Sequence, residues 1–108
     1  MAEQSYPVQL AQKLIRCPSV TPAQAGSLDL LQDELQLMGF VCTRLVFGDG
    51  AEQIDNLYAQ IGAGPKHFAF AGHVDVVPVG EIQDWKFNPF DATISDGRLF
   101  GRGAADMK

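Results

Sequence analysis

The sequence predicts an α/β fold, a mixed sheet flanked by helices. Three observations carry this. Up to Met38, apolar residues recur at helical spacing in two separate stretches. From Phe40 the period changes to two. Phe68-Ala69-Phe70-Ala71 then forms an uninterrupted apolar run, of the kind that suits a central strand buried on both faces.

The elements follow in order. Ser5 is placed to cap a first helix that reaches about Arg16, with Val8, Ala11, Leu14 and Ile15 as its apolar stripe. Pro7 is tolerated in the first turn, and Cys17-Pro18 ends the helix because a residue before proline is pushed out of the helical region. A loop runs to Gly26. A second helix spans Ser27 to Met38, with Leu28, Leu31, Leu35 and Met38 on one face and Gly39 as the residue just past its end. Strands are expected at Phe40 to Phe47, at Asn56 to Ile61 and, centrally, at His67 to Val74. Residues 76 to 91 are rich in proline and turn formers. Ala92-Thr93-Ile94 and Arg98-Leu99-Phe100 read as a hairpin across Ser95-Asp96-Gly97.

The chain has 108 residues, 46% apolar and 19% charged, with a formal net charge of −5. That composition suits one globular domain with a modest core and excludes coiled-coil, collagen-like and disordered classes. The eight Lys and Arg residues are scattered singly, so no basic stripe forms and nucleic-acid binding is not expected. No apolar run approaches the roughly 20 residues of a membrane span, which argues against a membrane partner. Residues 1 to 10 lack the basic and apolar regions of a signal peptide, so the expected location is cytoplasmic. Cys17 and Cys42 are then expected to be reduced, buried thiols, far in sequence from any base that would make either a nucleophile.

The chemistry-bearing residues gather in two places. Gly72-His73-Val74-Asp75 ends the apolar strand, where α/β sheets place their sites. His73 and Asp75 leave the same strand face. Imidazole ligates zinc well, and a ligating histidine usually donates its other ring N–H to a carboxylate, a role open to Asp75. For an isolated H-x-D, a strand-end hydrogen bond without metal is the commoner arrangement. Gly101-Arg102-Gly103-Ala104-Ala105-Asp106 presents a carboxylate from small-residue surroundings. Asp106 could bridge metal ions, or sit solvated on a surface turn. The run matches no phosphate-binding glycine loop. Trp85 with Pro89-Phe90 could wall a pocket or pack a loop onto the sheet, and His67 reads as partly exposed and uninvolved.

Together, these segments resemble the M20 family of co-catalytic zinc peptidases and deacylases. The resemblance rests on Phe70-Ala71-Gly72-His73-Val74-Asp75-Val76-Val77-Pro78-Val79-Gly80, on Trp85 and Pro89-Phe90, and on the run from Asp96 to Lys108 with its Gly-Arg-Gly-Ala-Ala-Asp-Met-Lys ending. Leu14-Ile15-Arg16-Cys17-Pro18-Ser19-Val20-Thr21-Pro22 resembles the family's opening motif. One departure is Val74, where many members carry Thr.

The resemblance implies a zinc-peptidase-like α/β fold, with residues 1–108 as the N-terminal part of one metallohydrolase catalytic domain. It makes His73 a terminal ligand to one zinc, Asp106 the bridge between two, and Asp75 the active-site carboxylate behind His73, with a cis bond after Asp106. It implies two zinc ions per complete subunit, with cobalt possible in one site, and a small N-acyl amino acid as substrate. The implied reaction is hydrolysis of N-succinyl-LL-2,6-diaminopimelate on the route to lysine. Deacetylation of N-acetylornithine, aminoacylase or peptidase activity, and a non-catalytic α/β module are the alternatives. The family's general base, a Glu of a Glu-Glu pair, and its remaining ligands lie downstream of Lys108, and Glu3, Glu34, Glu52 and Glu81 match no such motif. Its dimerisation domain is also later, so a homodimer is expected of the parent protein, and the 108 residues alone are expected to be inactive.

Overall fold

A computed structural model describes residues 3–108. Helix α1 spans Tyr6–Ile15. Ser5 holds the N-cap position in extended conformation, but its hydroxyl makes no capping bond, and proline in the first turn removes one donor that would need it. Helix α2 spans Ser27–Leu37 behind a left-handed Gly26. Its free first-turn N–H groups are met by Gln24, whose Oε1 accepts from Leu28 N at 3.1 Å. At its other end Gly39 adopts φ +97°. Gly39 N donates to Gln36 O and Phe40 N to Leu35 O, each at 3.0 Å, which closes a Schellman motif at the predicted glycine.

Strands β1 (Val41–Phe47) and β2 (Ile54–Gln60) pair antiparallel, with Val41 opposite Gln60 and Phe47 opposite Ile54. Their inner face lies on α2. Arg44 fastens the three elements together: it donates to Asp29 at 2.7 Å and Gln32 at 3.0 Å on α2, and forks onto both Asp55 oxygens on β2. Those bonds raise the guanidinium above its ordinary value. They also hold the Asp29 carboxyl below its own, with Arg44 the larger cause and Gln24 the next.

Strands β3 (Thr93–Ser95) and β4 (Arg98–Phe100) form the predicted hairpin. Asp96 and Gly97 both take positive φ, as a two-residue I′ turn requires. The core sits between α1, α2 and this hairpin. It comprises Leu14, Ile15, Leu28, Val76 and Ala92, with Pro89 also fully buried. Burying Leu14 and Ile15 contributes about 1.5–3 kcal/mol each.

The expected central strand differs. Residues 67–74 are extended but join neither ladder, and Phe68 and Phe70 are 85% and 93% exposed. They pack edge-to-face on each other with ring centroids 5.0 Å apart. A strand buried on both faces needs hydrogen-bonded neighbours and covering helices. Among the described residues the one isolated bridge, Val20 to Val76, is parallel and falls just past this segment. The α/β class stands, but as two separate two-stranded sheets beside two helices. No helix among the described residues is long and apolar enough to cross a membrane.

Candidate metal centre

Residues 72–76 are held by the loop that follows α1. Buried Ser19 donates from Oγ to Val74 O at 2.6 Å. Val76 N donates to Ser19 O, and Thr21 N to Val76 O, each at 3.0 Å. Val74 and Val76 are thereby fixed inward, and alternation turns His73 and Asp75 outward. Both are half-exposed, on the wall of an open cleft of about 860 Å³ whose far side is α2 and β2.

Asp106 comes from a tight loop after β4. Arg102 N donates to Pro89 O at 2.8 Å, Ala104 N to Gly101 O at 3.2 Å and Lys108 N to Gly103 O at 2.8 Å. Gly101 is required sterically, since a Cβ there would lie 2.6 Å from Ile15 Cγ2 and 3.1 Å from Pro89 O. The peptide bond from Asp106 to Met107 is cis, as expected. Lys108 folds back so that its Nζ donates to Cys17 O at 2.7 Å, and burial pushes its ammonium below the usual lysine value.

The two segments converge. His73 Nε2 lies 2.9 Å from Asp106 Oδ1, across 33 residues of sequence. On the other side of the ring, Nδ1 lies 3.1 Å from both the carbonyl oxygen and Oδ1 of Asp75. The Asp75 carbonyl is the main cause that raises the His73 imidazole above its ordinary value, with the two carboxylates adding to it against partial desolvation. If Nδ1 carries the proton and donates to Asp75, Nε2 presents a lone pair to a carboxylate oxygen that also only accepts. Two acceptors 2.9 Å apart need a cation between or beside them, either a second proton on the ring or a metal ion. One imidazole nitrogen and one carboxylate oxygen form a donor set that suits zinc, and a carboxylate behind the ring is the usual support for such a ligand. The residues therefore fit a metal ion. Among the described residues no group of three or more His, Cys, Asp or Glu side chains is placed to hold one.

The remaining predicted residues fall outside this cluster. Trp85 packs rather than walls the cleft: its Nε1 donates to Val79 O at 2.9 Å, and the Arg102 guanidinium lies over its ring at 5.0 Å. His67 is exposed. Cys17 and Cys42 are free thiols, but half-buried rather than buried, with their Sγ atoms directed at the Lys13 and Gln32 carbonyls. Sequence reasoning missed Ser19 and Lys108 as parts of this architecture. The signal was present in the Pro18-Ser19 motif and the Asp-Met-Lys run, but neither says which carbonyl a hydroxyl or ammonium will find.

Residues 69–108 match the peptidase family M20/M25/M40. Over 94% of its length the chain is 57% identical to the succinyl-diaminopimelate desuccinylase of Rhodospirillum centenum and 55% identical to that of Caulobacter vibrioides. It covers 27% and 25% of those proteins, so it spans about a quarter of the relatives it matches. The crystal structure of human carnosine dipeptidase 1 superposes with a TM-score of 0.76 at 27% identity, over 92% of this chain and 24% of that one.

Proposed function

From a chain similar over 94% of its length to succinyl-diaminopimelate desuccinylases, with the M20/M25/M40 peptidase pattern across residues 69–108, we propose a part of a metal-dependent desuccinylase. The complete protein hydrolyses N-succinyl-LL-2,6-diaminopimelate. Water adds across the amide, the C–N bond breaks, the acyl carbon leaves as succinate and the nitrogen takes a proton to give LL-diaminopimelate. The protein works in the cytoplasm as a homodimer with two zinc ions per subunit, one of which cobalt can replace. The observation that carries this reading is the approach of His73 Nε2 to Asp106 Oδ1 at 2.9 Å.

Within it each residue has a task. His73 offers Nε2 to one ion. Asp75 accepts from Nδ1, which selects the tautomer, fixes the ring plane and raises the basicity of the ligating nitrogen. Asp106 would hold an ion beside His73 through its carboxylate. Bound there, zinc supplies acidified water and a polarised amide carbonyl.

The test is release of free amine by the complete gene product from N-succinyl-LL-2,6-diaminopimelate, with N-acetylornithine and a dipeptide alongside. Turnover should favour the succinyl substrate, vanish after chelation and return with Zn²⁺ or Co²⁺. Faster turnover of either alternative removes the substrate assignment. Full activity after exhaustive chelation removes the metal.

The 108 residues alone bring two converging donors, whereas a catalytic zinc takes about three protein ligands. Titrated by themselves, they should bind zinc weakly and hydrolyse nothing. Tight binding of two ions, or turnover by the isolated 108-residue chain, would contradict this.

A further inference from the structure

The motif Cys17-Pro18-Ser19-Val20-Thr21 has no part in the chemistry above, yet it touches both segments that carry the candidate donors. Towards residues 72–76, the Ser19 hydroxyl donates to Val74 O, the carbonyl between His73 and Asp75. The two backbone bonds to Val76 then lock the register of residues 74–76 against 19–21. Towards residues 101–108, Cys17 O accepts from Lys108 Nζ at 2.7 Å. Gly103 lies against both partners: a Cβ there would come within 2.9 Å of Lys108 Cδ and 3.1 Å of Val76 Cγ1.

The donors themselves are poorly restrained by packing. The His73 side chain is 47% exposed and that of Asp106 is 85% exposed. Their spacing must therefore come from the backbones that bear them, and the 17–21 loop hydrogen-bonds to both stretches. We propose that Ser19 and Lys108 are positioning residues, which clasp the two donor segments to one loop and so set the His73–Asp106 spacing that holds a divalent metal ion. The proposal rests on the metal-centre reading above. It assigns the opening motif a task at the metal centre, although none of its side chains hydrogen-bonds to those of His73, Asp75 or Asp106.

The experiment uses the complete, metal-stripped protein, with Co²⁺ as the probe. Its affinity and d–d absorption band are recorded beside thermal melting for Ser19→Ala, Lys108→Met, Lys108→Arg, Asp106→Ala and Arg44→Met. Ser19→Ala and Lys108→Met should each weaken Co²⁺ binding about 10–100-fold, the range for groups that orient a ligand, and should shift the absorption band. Lys108→Arg, which can still donate to Cys17 O, should recover most of the affinity. Arg44→Met dismantles the ion cluster on α2, β1 and β2. It should lower the melting temperature and leave affinity and band unchanged.

Wild-type affinity and band in both Ser19→Ala and Lys108→Met overturn the clasp. So does an equal loss of affinity in Arg44→Met, which would make the effect one of general stability. If Ser19→Ala does not fold, half-buried Lys108→Met decides. Failure of the metal reading looks different: wild type then binds no Co²⁺, or Asp106→Ala binds as tightly as wild type, and the clasp falls with it. Tight wild-type binding, loss in Asp106→Ala and unaltered clasp variants overturn the clasp alone.

Discussion

Replacing Asp106 with alanine in the complete protein should abolish the proposed amide hydrolysis and cost more metal affinity than any other single change in residues 1–108. The carboxylate stands 2.9 Å from His73 Nε2 and, among the described residues, is the one oxygen that meets that nitrogen. It is 85% exposed, so its removal opens no cavity and breaks no core contact, and the melting temperature of the metal-free protein should hardly move. Asp75→Asn is the graded comparison. It touches the far side of the ring, at Nδ1, and an amide oxygen there still accepts the hydrogen bond. Losing its charge should cost about 10–100-fold in affinity or rate, as for other carboxylates behind a ligating histidine. Metal titration of both variants checks the order. Equal losses in Asp106→Ala and Asp75→Asn would mean that Asp106 is not a ligand.

Gly101→Ala destabilises the fold, by an amount at the upper end of the roughly 1–3 kcal/mol that overpacking a tight site costs. The new methyl would sit 2.6 Å from Ile15 Cγ2 and 3.1 Å from Pro89 O. Neither neighbour can retreat easily. Ile15 is fully buried, and Pro89 O already accepts from Arg102 N at 2.8 Å. Gly72→Ala makes the contrast: its nearest atom is Met107 Cε at 3.3 Å, the end of a flexible side chain, and it should cost far less. Ile15→Ala removes the atom in the way, at its own cost of about 2–5 kcal/mol. The double variant Gly101→Ala, Ile15→Ala should therefore lose less stability than the two single losses added together, because the sites share one volume. Denaturant unfolding of the four proteins measures the coupling, and strict additivity would rule out the clash as its cause.

Much of the fold was legible before any coordinates. The two helices, the strands on either side of Gly48-Asp49-Gly50 and the Asp-Gly hairpin all depend on local rules of periodicity, left-handed glycines and proline punctuation, which act within a few residues. The segment 67–74 shows where local rules end. Its apolar run states that it must be covered, but says nothing of what covers it. Phe68 and Phe70 stand exposed because the described residues provide no ladder on either side of them.

The site divides in the same way. The sequence by itself supplied the candidate residues, a histidine with an aspartate two positions on and an aspartate set among glycines and alanines, and the family resemblance gave them their proposed metal roles. Those identities are chemical facts of the side chains, and spacing within one strand decides which share a face. Only the tertiary structure decided that His73 meets Asp106 across 33 positions, and that Ser19 and Lys108 reach the segments bearing them. The physical reason is range. Periodicity and turn chemistry act over one or two turns of chain, whereas a donor pair is assembled by backbone hydrogen bonds between stretches far apart in sequence. Which carbonyl each hydroxyl and ammonium finds is settled only when those stretches pack.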